Sequence, residues 1–388
     1  MALMIKNAKT VLEDQVLKES KIVVDDGIIK EVTTASDEEV KRNFDIKQVC
    51  DVQGKHILPG IIDIHSDAIE KAVEPRPEVM FPSHLAVAQL EKNLAAQGIT
   101  SIFHSFSFSN GAGIRADDCA LAMIKEVKEK EQEIVRNLIH VRYEVTNFES
   151  YSLVEELLET EQTDLFSLMD HSPGQGQYKS IEDYSYYLQK TYKVDKEDAD
   201  KVAKGKVERR EQVKQKTLTK LVKKALANNI SVATHDDDNL EQVDWANELG
   251  INIMEFPMDE EVAQRGIDLD MFVSVGAPNI VRGGSHNGNL AAEDLIKGGK
   301  ANVICSDYYP GSMLSAALKI AQQIEDLPQA IKMITLNPAQ AVGKGKQLGS
   351  IAAGKLADLL VVDLDNEVPF VEQTFVNGEL VFSGDHWN

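Results

Sequence analysis

The sequence predicts an α/β fold, a (β/α)8 barrel of the TIM type joined to a small β-sandwich that both chain ends form. Three observations support this prediction. The middle of the chain alternates short apolar runs with helical stretches, which is typical of βα units. Both ends contain short β-rich segments with hairpin turns. The length of 388 residues suits a barrel of roughly 250 residues plus a smaller unit.

The two chain ends carry the signals of antiparallel strands. A two-residue turn separates β-rich segments at each end, Asp26-Gly27 near the start and Asn377-Gly378 near the end. We therefore expect both termini to pair in one sandwich. The predicted domains are a sandwich of residues 1–58 and 345–388 and a barrel of residues 59–344.

Eight candidate strands follow one another in the barrel region, and eight strands close a barrel of this type. They are 61–65, 101–105, 138–143, 165–169, 231–234, 251–256, 271–275 and 302–305. Between about 179 and 229 the chain is rich in Lys, Glu, Asp and Tyr, which predicts a helical insertion. Two interpretations of this insertion stay open: a solvated pair of charged helices, or a lid over the barrel mouth.

The composition restricts the partners of the chain. Its formal net charge of -22 disfavours nucleic acid and anionic membranes, but permits a small anionic substrate beside a bound metal. No apolar run reaches the roughly 18 residues of a membrane span, and the N-terminus lacks the apolar core of a signal peptide. The 3 scattered cysteines suggest neither disulfides nor a Cys-type zinc site. We therefore expect a cytoplasmic protein.

The first barrel strand ends in the sharpest motif of the chain, His65-Ser66-Asp67. Residues i and i+2 of a strand lie on the same side, so His65 and Asp67 can hold one ion. Histidine or carboxylate residues also follow other candidate strands, namely Glu144, His171, His235 and Asp307. Because the strand ends of a barrel meet at one rim, these six residues predict a metal site.

The donor types indicate which cation such a site would hold. Imidazole and carboxylate groups suit zinc, manganese or iron, and we expect zinc first. Six donors exceed the four that one tetrahedral ion takes, so we predict two divalent ions, with Glu144 as a bridge. Such ions lower the pKa of bound water, and Asp307 is the candidate that moves its proton to the leaving group.

At these residues the sequence resembles the amidohydrolase superfamily. The resemblance extends to segments 59–63, 335–339 and 349–359. Asp67 stands where the commonest pattern of the superfamily has a second His, and a Glu replaces the carboxylated Lys that usually bridges the metals. Both departures resemble the branch that acts in phosphonate catabolism, in the carbon–phosphorus lyase pathway. Further matches to that branch are 70–77, 169–177, 234–237 and 276–289.

The resemblance implies hydrolysis of a ribosyl triphosphate that bears a phosphonate, giving a monophosphate and pyrophosphate. Hydrolysis of a C–N bond, as by a deacetylase or a cyclic amidase, is the alternative, because the same activated water can attack a carbonyl carbon. A catalytically inactive scaffold with the same fold is a third possibility, although all six donors are present.

A triphosphate carries roughly four negative charges, so its pocket needs cations and donors beyond the metals. We predict substrate contacts from loops that follow strands, namely Lys71, Arg76, Arg282, His286 and Tyr308. Arg282 and His286 lie in a Gly-rich loop, whose backbone can approach phosphate oxygens closely. An ordinary flexible loop explains the same glycines equally well. We also expect the protein to form a homo-oligomer.

Overall fold

The protein's structure, a computed structural model, describes residues 2–76, 79–111, 113–129, 134–284, 290–366 and 368–384. The strands of this part of the chain are β1 (Ala2–Val11), β2 (Val16–Asp25), β3 (Ile28–Thr33), β4 (Ile46–Asp51), β5 (His56–Pro59), β6 (Ile61–Ser66), β7 (Ile99–Phe108), β8 (Arg136–Glu144), β9 (Leu165–Met169), β10 (Ser231–His235), β11 (Ile253–Glu255), β12 (Phe272–Gly276), β13 (Val303–Cys305), β14 (Leu359–Asp363), β15 (Phe370–Val376) and β16 (Glu379–Ser383).

Helices alternate with the strands in the middle of the chain. They are α1 (Asp37–Asn43), α2 (Ala68–Val73), α3 (Ser83–Ala96), α4 (Asp117–Glu129), α5 (Tyr151–Leu157), α6 (Ile181–Tyr192), α7 (Lys196–Arg210), α8 (Gln215–Ala227), α9 (Leu240–Leu249), α10 (Glu260–Asp268), α11 (Ala277–Arg282), α12 (Ala292–Lys297), α13 (Met313–Ile324), α14 (Leu327–Lys332) and α15 (Leu336–Ala341). Within the ranges given above, none of these helices combines the length and the apolar character that a membrane span requires.

Strands β6 to β13 form one parallel sheet in sequence order. The sheet closes at the carboxyl ends of its first and last strands. There the Asp67 N–H donates to the Asp307 carbonyl at 2.6 Å, and the Asp307 N–H donates to the His65 carbonyl at 3.0 Å. All eight predicted strands are present, and the predicted (β/α)8 barrel is confirmed.

Alternation along the barrel strands separates two apolar cores. One side of each strand fills the barrel interior, as Phe103 and Leu165 do. The other side packs against the surrounding helices, as Phe106 and Phe166 do. This period of two determines which polar residues at the strand ends face the centre of the barrel.

Both chain ends meet in a second, separate sheet, as predicted. Its strand order is β16-β15-β14-β5-β1-β2-β3, and β4 pairs with β1. The two predicted hairpins are present, joining β2 to β3 and β15 to β16. Asp26 and Gly27 have φ values of 52° and 71°, and Asn377 and Gly378 have 50° and 75°. Positive φ at both turn residues matches the right-handed twist of the strands, which explains the choice of residues.

A buried ion pair joins this sheet to the bottom of the barrel. Arg136, the first residue of β8, donates from its two terminal nitrogens to the two carboxylate oxygens of Asp358, which lies directly before β14. One of these oxygens also accepts the Asn377 N–H at 2.9 Å, and the Asp358 carbonyl accepts the Gly60 N–H at 2.9 Å. Asp358 therefore connects three segments that are distant in sequence.

The segment between β9 and β10 contains three helices with different surroundings. Helix α8 packs against the barrel, and its residues Leu221, Val222 and Ala225 belong to the main core. Helices α6 and α7 instead pack against each other through a small core of their own, formed by Tyr184, Leu188, Ala199 and Ala203. We refer to α6 and α7 together as the roof, because several of their residues line a cavity at the carboxyl ends of the barrel strands.

Candidate metal centre

A cavity of about 700 Å³ lies at the carboxyl ends of the barrel strands, within the range typical of small-molecule sites. All six residues that the sequence singled out as metal donors line this cavity: His65, Asp67, Glu144, His171, His235 and Asp307. They reach it from five different strand ends, because a closed parallel barrel gathers its strand ends at one rim.

Strand alternation explains which side chains point inward. Leu138 of β8 belongs to the barrel interior, so Glu144, six residues later, lies on the same face. Ala233 of β10 and Ile253 of β11 are also interior residues, and His235 and Glu255 follow them by two. Three acid–base groups therefore face inward, one from β8 and two from the neighbouring strands β10 and β11.

Glu255 connects two of the candidate donors. Its Oε1 lies 2.8 Å from His65 Nδ1, and its Oε2 lies 3.1 Å from His235 Nδ1. The two imidazole rings are stacked, with centroids 5.4 Å apart and planes inclined by 14°. A carboxylate that accepts from both Nδ1–H groups fixes the ring orientation and leaves each Nε2 lone pair for a cation.

Within the part of the chain that the structure describes, two groups of three side chains bring their donor atoms within 4.8 Å of one another. One consists of His65, His140 and Glu255, and the other of His171, His235 and Asp236. Glu144 adjoins the second group, since its Oε2 lies 3.0 Å from His171 Nδ1.

Two cations from the protein contact the predicted donors. Arg142 lies 3.1 Å from Asp67 Oδ1 through Nη1, and 3.1 Å from His235 Nε2 through Nη2. Lys206 Nζ, from the roof, lies 3.5 Å from Glu144 Oε2. Each of these cations therefore lies beside a carboxylate of the cavity floor.

Burial sets the protonation of the site. It lowers the pKa of His65 and of His140 to about 3, so both rings are neutral and can serve as ligands. Burial also raises the pKa of Glu144, but the hydrogen bond from His171 and the charge of Lys206 outweigh it and lower that pKa to about 2. Burial, assisted by the charge of Asp67, raises the pKa of Asp307 to about 7.

The donor set fits a divalent cation. Neutral imidazoles and carboxylates are the donors that zinc, manganese and iron take from proteins, and here they face one cavity from a rigid barrel. Glu255 supplies the hydrogen bonds that metal-bound imidazoles need at their second nitrogen.

The structure does not bring four of the five predicted substrate residues to this cavity. Four of them are not among the described residues that line it: Lys71, Arg76, Arg282 and Tyr308. All four are exposed to solvent. The fifth, His286, lies outside the described residues. The cations that do line the cavity, in the described part of the chain, are Arg115, Arg142, Lys206 and Arg209.

Sequence reasoning also missed three members of the site. Glu255 is the last but one residue of the predicted strand 251–256 and the last residue of the observed β11. The rule that identified Glu144 and His235, an acid–base residue at a strand end, therefore also applies to it. His140 lies inside β8 rather than at its end, and only alternation from Leu138 places it on the inner face. Lys206 lies in a charged helix without a local signal.

Comparison with known proteins identifies the family. The amidohydrolase family model matches residues 56–381, which is most of the chain. The chain belongs to the amidohydrolase family. It is also 32% identical, over 387 residues, to the alpha-D-ribose 1-methylphosphonate 5-triphosphate diphosphatase of Escherichia coli strain K12. This similarity covers 98% of the chain and 100% of that relative.

Solved amidohydrolase-like structures share the fold at low sequence identity. A Xaa-Pro dipeptidase with bound methionine aligns with a TM-score of 0.67 at 15% identity, covering 99% of this chain and 100% of the other. A molinate hydrolase aligns with a TM-score of 0.67 at 16% identity, covering 98% and 94%. At such identities these likenesses concern the barrel and its accompanying sheet alone.

Replacing Glu255 with glutamine should weaken metal binding by about tenfold to a hundredfold, the usual effect of losing the partner of a ligating imidazole. An amide presents one acceptor oxygen, so it cannot accept from both Nδ1–H groups. Competition with a chromogenic chelator measures the change. E261Q is the matched control, since Glu261 is an exposed residue of the following helix. Equal affinity in E255Q and wild type would show that Glu255 does not position these rings.

Proposed function

We propose that this amidohydrolase is a metal-dependent diphosphatase that hydrolyses alpha-D-ribose 1-methylphosphonate 5-triphosphate to the 5-phosphate and pyrophosphate. The observation that carries the proposal is the sequence similarity to the Escherichia coli diphosphatase over the whole length of that relative. The six candidate donors of this chain also line one cavity. The cationic residues around that cavity agree with an anionic substrate.

The cavity floor would hold the cation. We assign His65, Asp67, Glu144, His171, His235 and Asp307 as the residues that bind two divalent ions, zinc in the first place and manganese or iron as alternatives. Such ions, when bound, lower the pKa of a water molecule and withdraw charge from phosphoryl oxygens. Glu255 holds the rings of His65 and His235 in place.

Asp307 moves the proton in this proposal. Its side chain lines the cavity, and a carboxylate there can take the proton of a water molecule and pass it on. The oxygen of water bonds to the phosphorus next to the ribose, and the bond from that phosphorus to the bridging oxygen breaks. Asp307 accepts the proton of the water and returns it to the departing pyrophosphate.

Product analysis in ¹⁸O-labelled water tests the proposal. Phosphorus NMR should show equal amounts of ribosyl monophosphate and pyrophosphate, with the label in the monophosphate. A chelator should abolish the reaction, and zinc should restore it. Orthophosphate as the first product would contradict the proposal. Absence of phosphoanhydride cleavage, together with release of ammonia or an amine from C–N substrates, would also contradict it and would support the alternative hydrolysis.

A further inference from the structure

The roof contributes one face of α7 to the cavity. Val202, Lys206 and Arg209 line the cavity at spacings of four and three residues, so they lie on one side of the helix. The cavity therefore has two electrostatically different parts. Its floor holds the carboxylates and imidazoles of the strand ends together with Arg142, and its roof holds the cations Lys206 and Arg209.

Among the cations around the cavity, Arg115 and Arg209 are engaged in holding the structure together. Arg115 forms a two-pronged pair with Glu70, at N–O distances of 2.9 to 3.1 Å. Arg209 donates to the Thr146 carbonyl at 2.9 Å and pairs with Glu149. These contacts attach the roof and the rim, and they use much of the donor capacity of both guanidinium groups.

Lys206 and Arg142 differ from these two, because each has a carboxylate partner in the described chain that is itself a candidate metal ligand. Arg142 lies in strand β8 on the cavity floor, whereas Lys206 lies on the roof. The surroundings of Lys206 fix its position. Its nitrogen lies 3.5 Å from Glu144 Oε2 and 3.5 Å from the Tyr184 hydroxyl. The same nitrogen lies 5.2 Å from the centroid of the Tyr184 ring. The side chain is only 16% exposed, so a cation with three donors is held in place inside the cavity.

When Glu144 binds a metal ion on the floor, the positive charge of Lys206 needs another anion as its partner. We infer that Lys206 binds the diphosphate part of a polyphosphate substrate, and that α7 forms a subsite for inorganic pyrophosphate as the leaving product. This inference rests on the proposed function, since it presupposes that Glu144 binds the metal and that the substrate is a polyphosphate. It assigns to the roof the recognition of phosphate groups, and to the floor the hydrolysis.

Binding of inorganic pyrophosphate to the metal-loaded protein tests the inference without turnover. Calorimetric titration should show about tenfold to a hundredfold weaker binding in K206Q than in wild type, as expected for the loss of a charge-assisted hydrogen bond. Binding of orthophosphate should change less. Metal content is measured before and after titration, because pyrophosphate chelates divalent ions.

Two further variants separate binding from a structural effect. K204Q removes the same charge from an exposed position of the same helix and should bind pyrophosphate as wild type does. K206R keeps the charge and should recover most of the affinity. Equal pyrophosphate affinity in K206Q and wild type would overturn the inference, and so would wild-type protein that does not bind pyrophosphate.

The two proposals can fail separately. Pyrophosphate binding that depends on Lys206, in a protein that does not cleave the ribosyl triphosphate, would sustain the roof subsite and reject the proposed function. Cleavage of that substrate, with unchanged pyrophosphate affinity in K206Q, would sustain the proposed function and reject the roof subsite.

Discussion

Replacing Asp307 with asparagine should lower kcat for the ribosyl triphosphate by about 100-fold to 10,000-fold, the usual contribution of a positioned acid–base group. An amide has nearly the same shape as the carboxyl group but cannot accept the proton. The substitution should leave the fold intact, because the barrel closes through the backbone of Asp307. Its φ of 56° is also a conformation that asparagine tolerates.

Initial rates measured beside elemental analysis distinguish the two roles assigned to Asp307. A large loss of rate with metal still bound supports proton transfer. An equal loss of metal and rate would assign the residue to cation binding alone, and a rate near that of wild type would exclude it from catalysis. D14N serves as the control, since Asp14 is an exposed carboxylate in the end sheet.

Replacing Arg136 with methionine should lower the free energy of unfolding by about 3–5 kcal/mol, the typical cost of removing one partner of a buried ion pair. The Arg136 and Asp358 side chains are 10% and 4% exposed. Methionine fills a similar volume, but it leaves the Asp358 carboxylate buried without its cation. Urea unfolding, followed by circular dichroism, measures the change.

An exposed ion pair provides the comparison for this variant. Lys47 and Asp45 lie 2.7 Å apart at the surface, with side chains 50% and 82% exposed. K47M should therefore shift the unfolding midpoint far less than R136M, because water screens an exposed pair. Equal shifts in the two variants would show that the Arg136–Asp358 pair does not hold the sheet to the barrel.

The strand-end pattern predicted much of the site, because it depends on two local rules. Alternation places every second strand residue on the inner face, and a parallel barrel gathers all carboxyl ends at one rim. Glu144 and His235 face the same cavity for these reasons, although they are far apart in the chain. His65 reaches it at a register shift between Asp63 and Ser66. The two rules also apply to Glu255, the last residue of β11.

The predicted substrate residues illustrate what these two rules cannot predict. Arg76 and Arg282 follow strands and carry suitable charges, yet both are exposed and do not line the cavity in the described structure. A side chain in a loop has no fixed period, so its direction depends on how the loop packs. Lys206 is the opposite case. No motif marks its charged helix, yet its side chain lines the cavity because α7 packs on α6.

The sequence by itself determined the eight barrel strands and the two hairpin turns of the end sheet, since each follows from residues close together in the chain. It also determined that six donors meet at one rim, because a parallel barrel gathers the carboxyl ends of its strands there. The tertiary structure alone decided that Glu255 joins His65 to His235 and that Lys206 faces Glu144. These contacts depend on distances between elements, and such distances follow from the packing of the whole barrel and its roof.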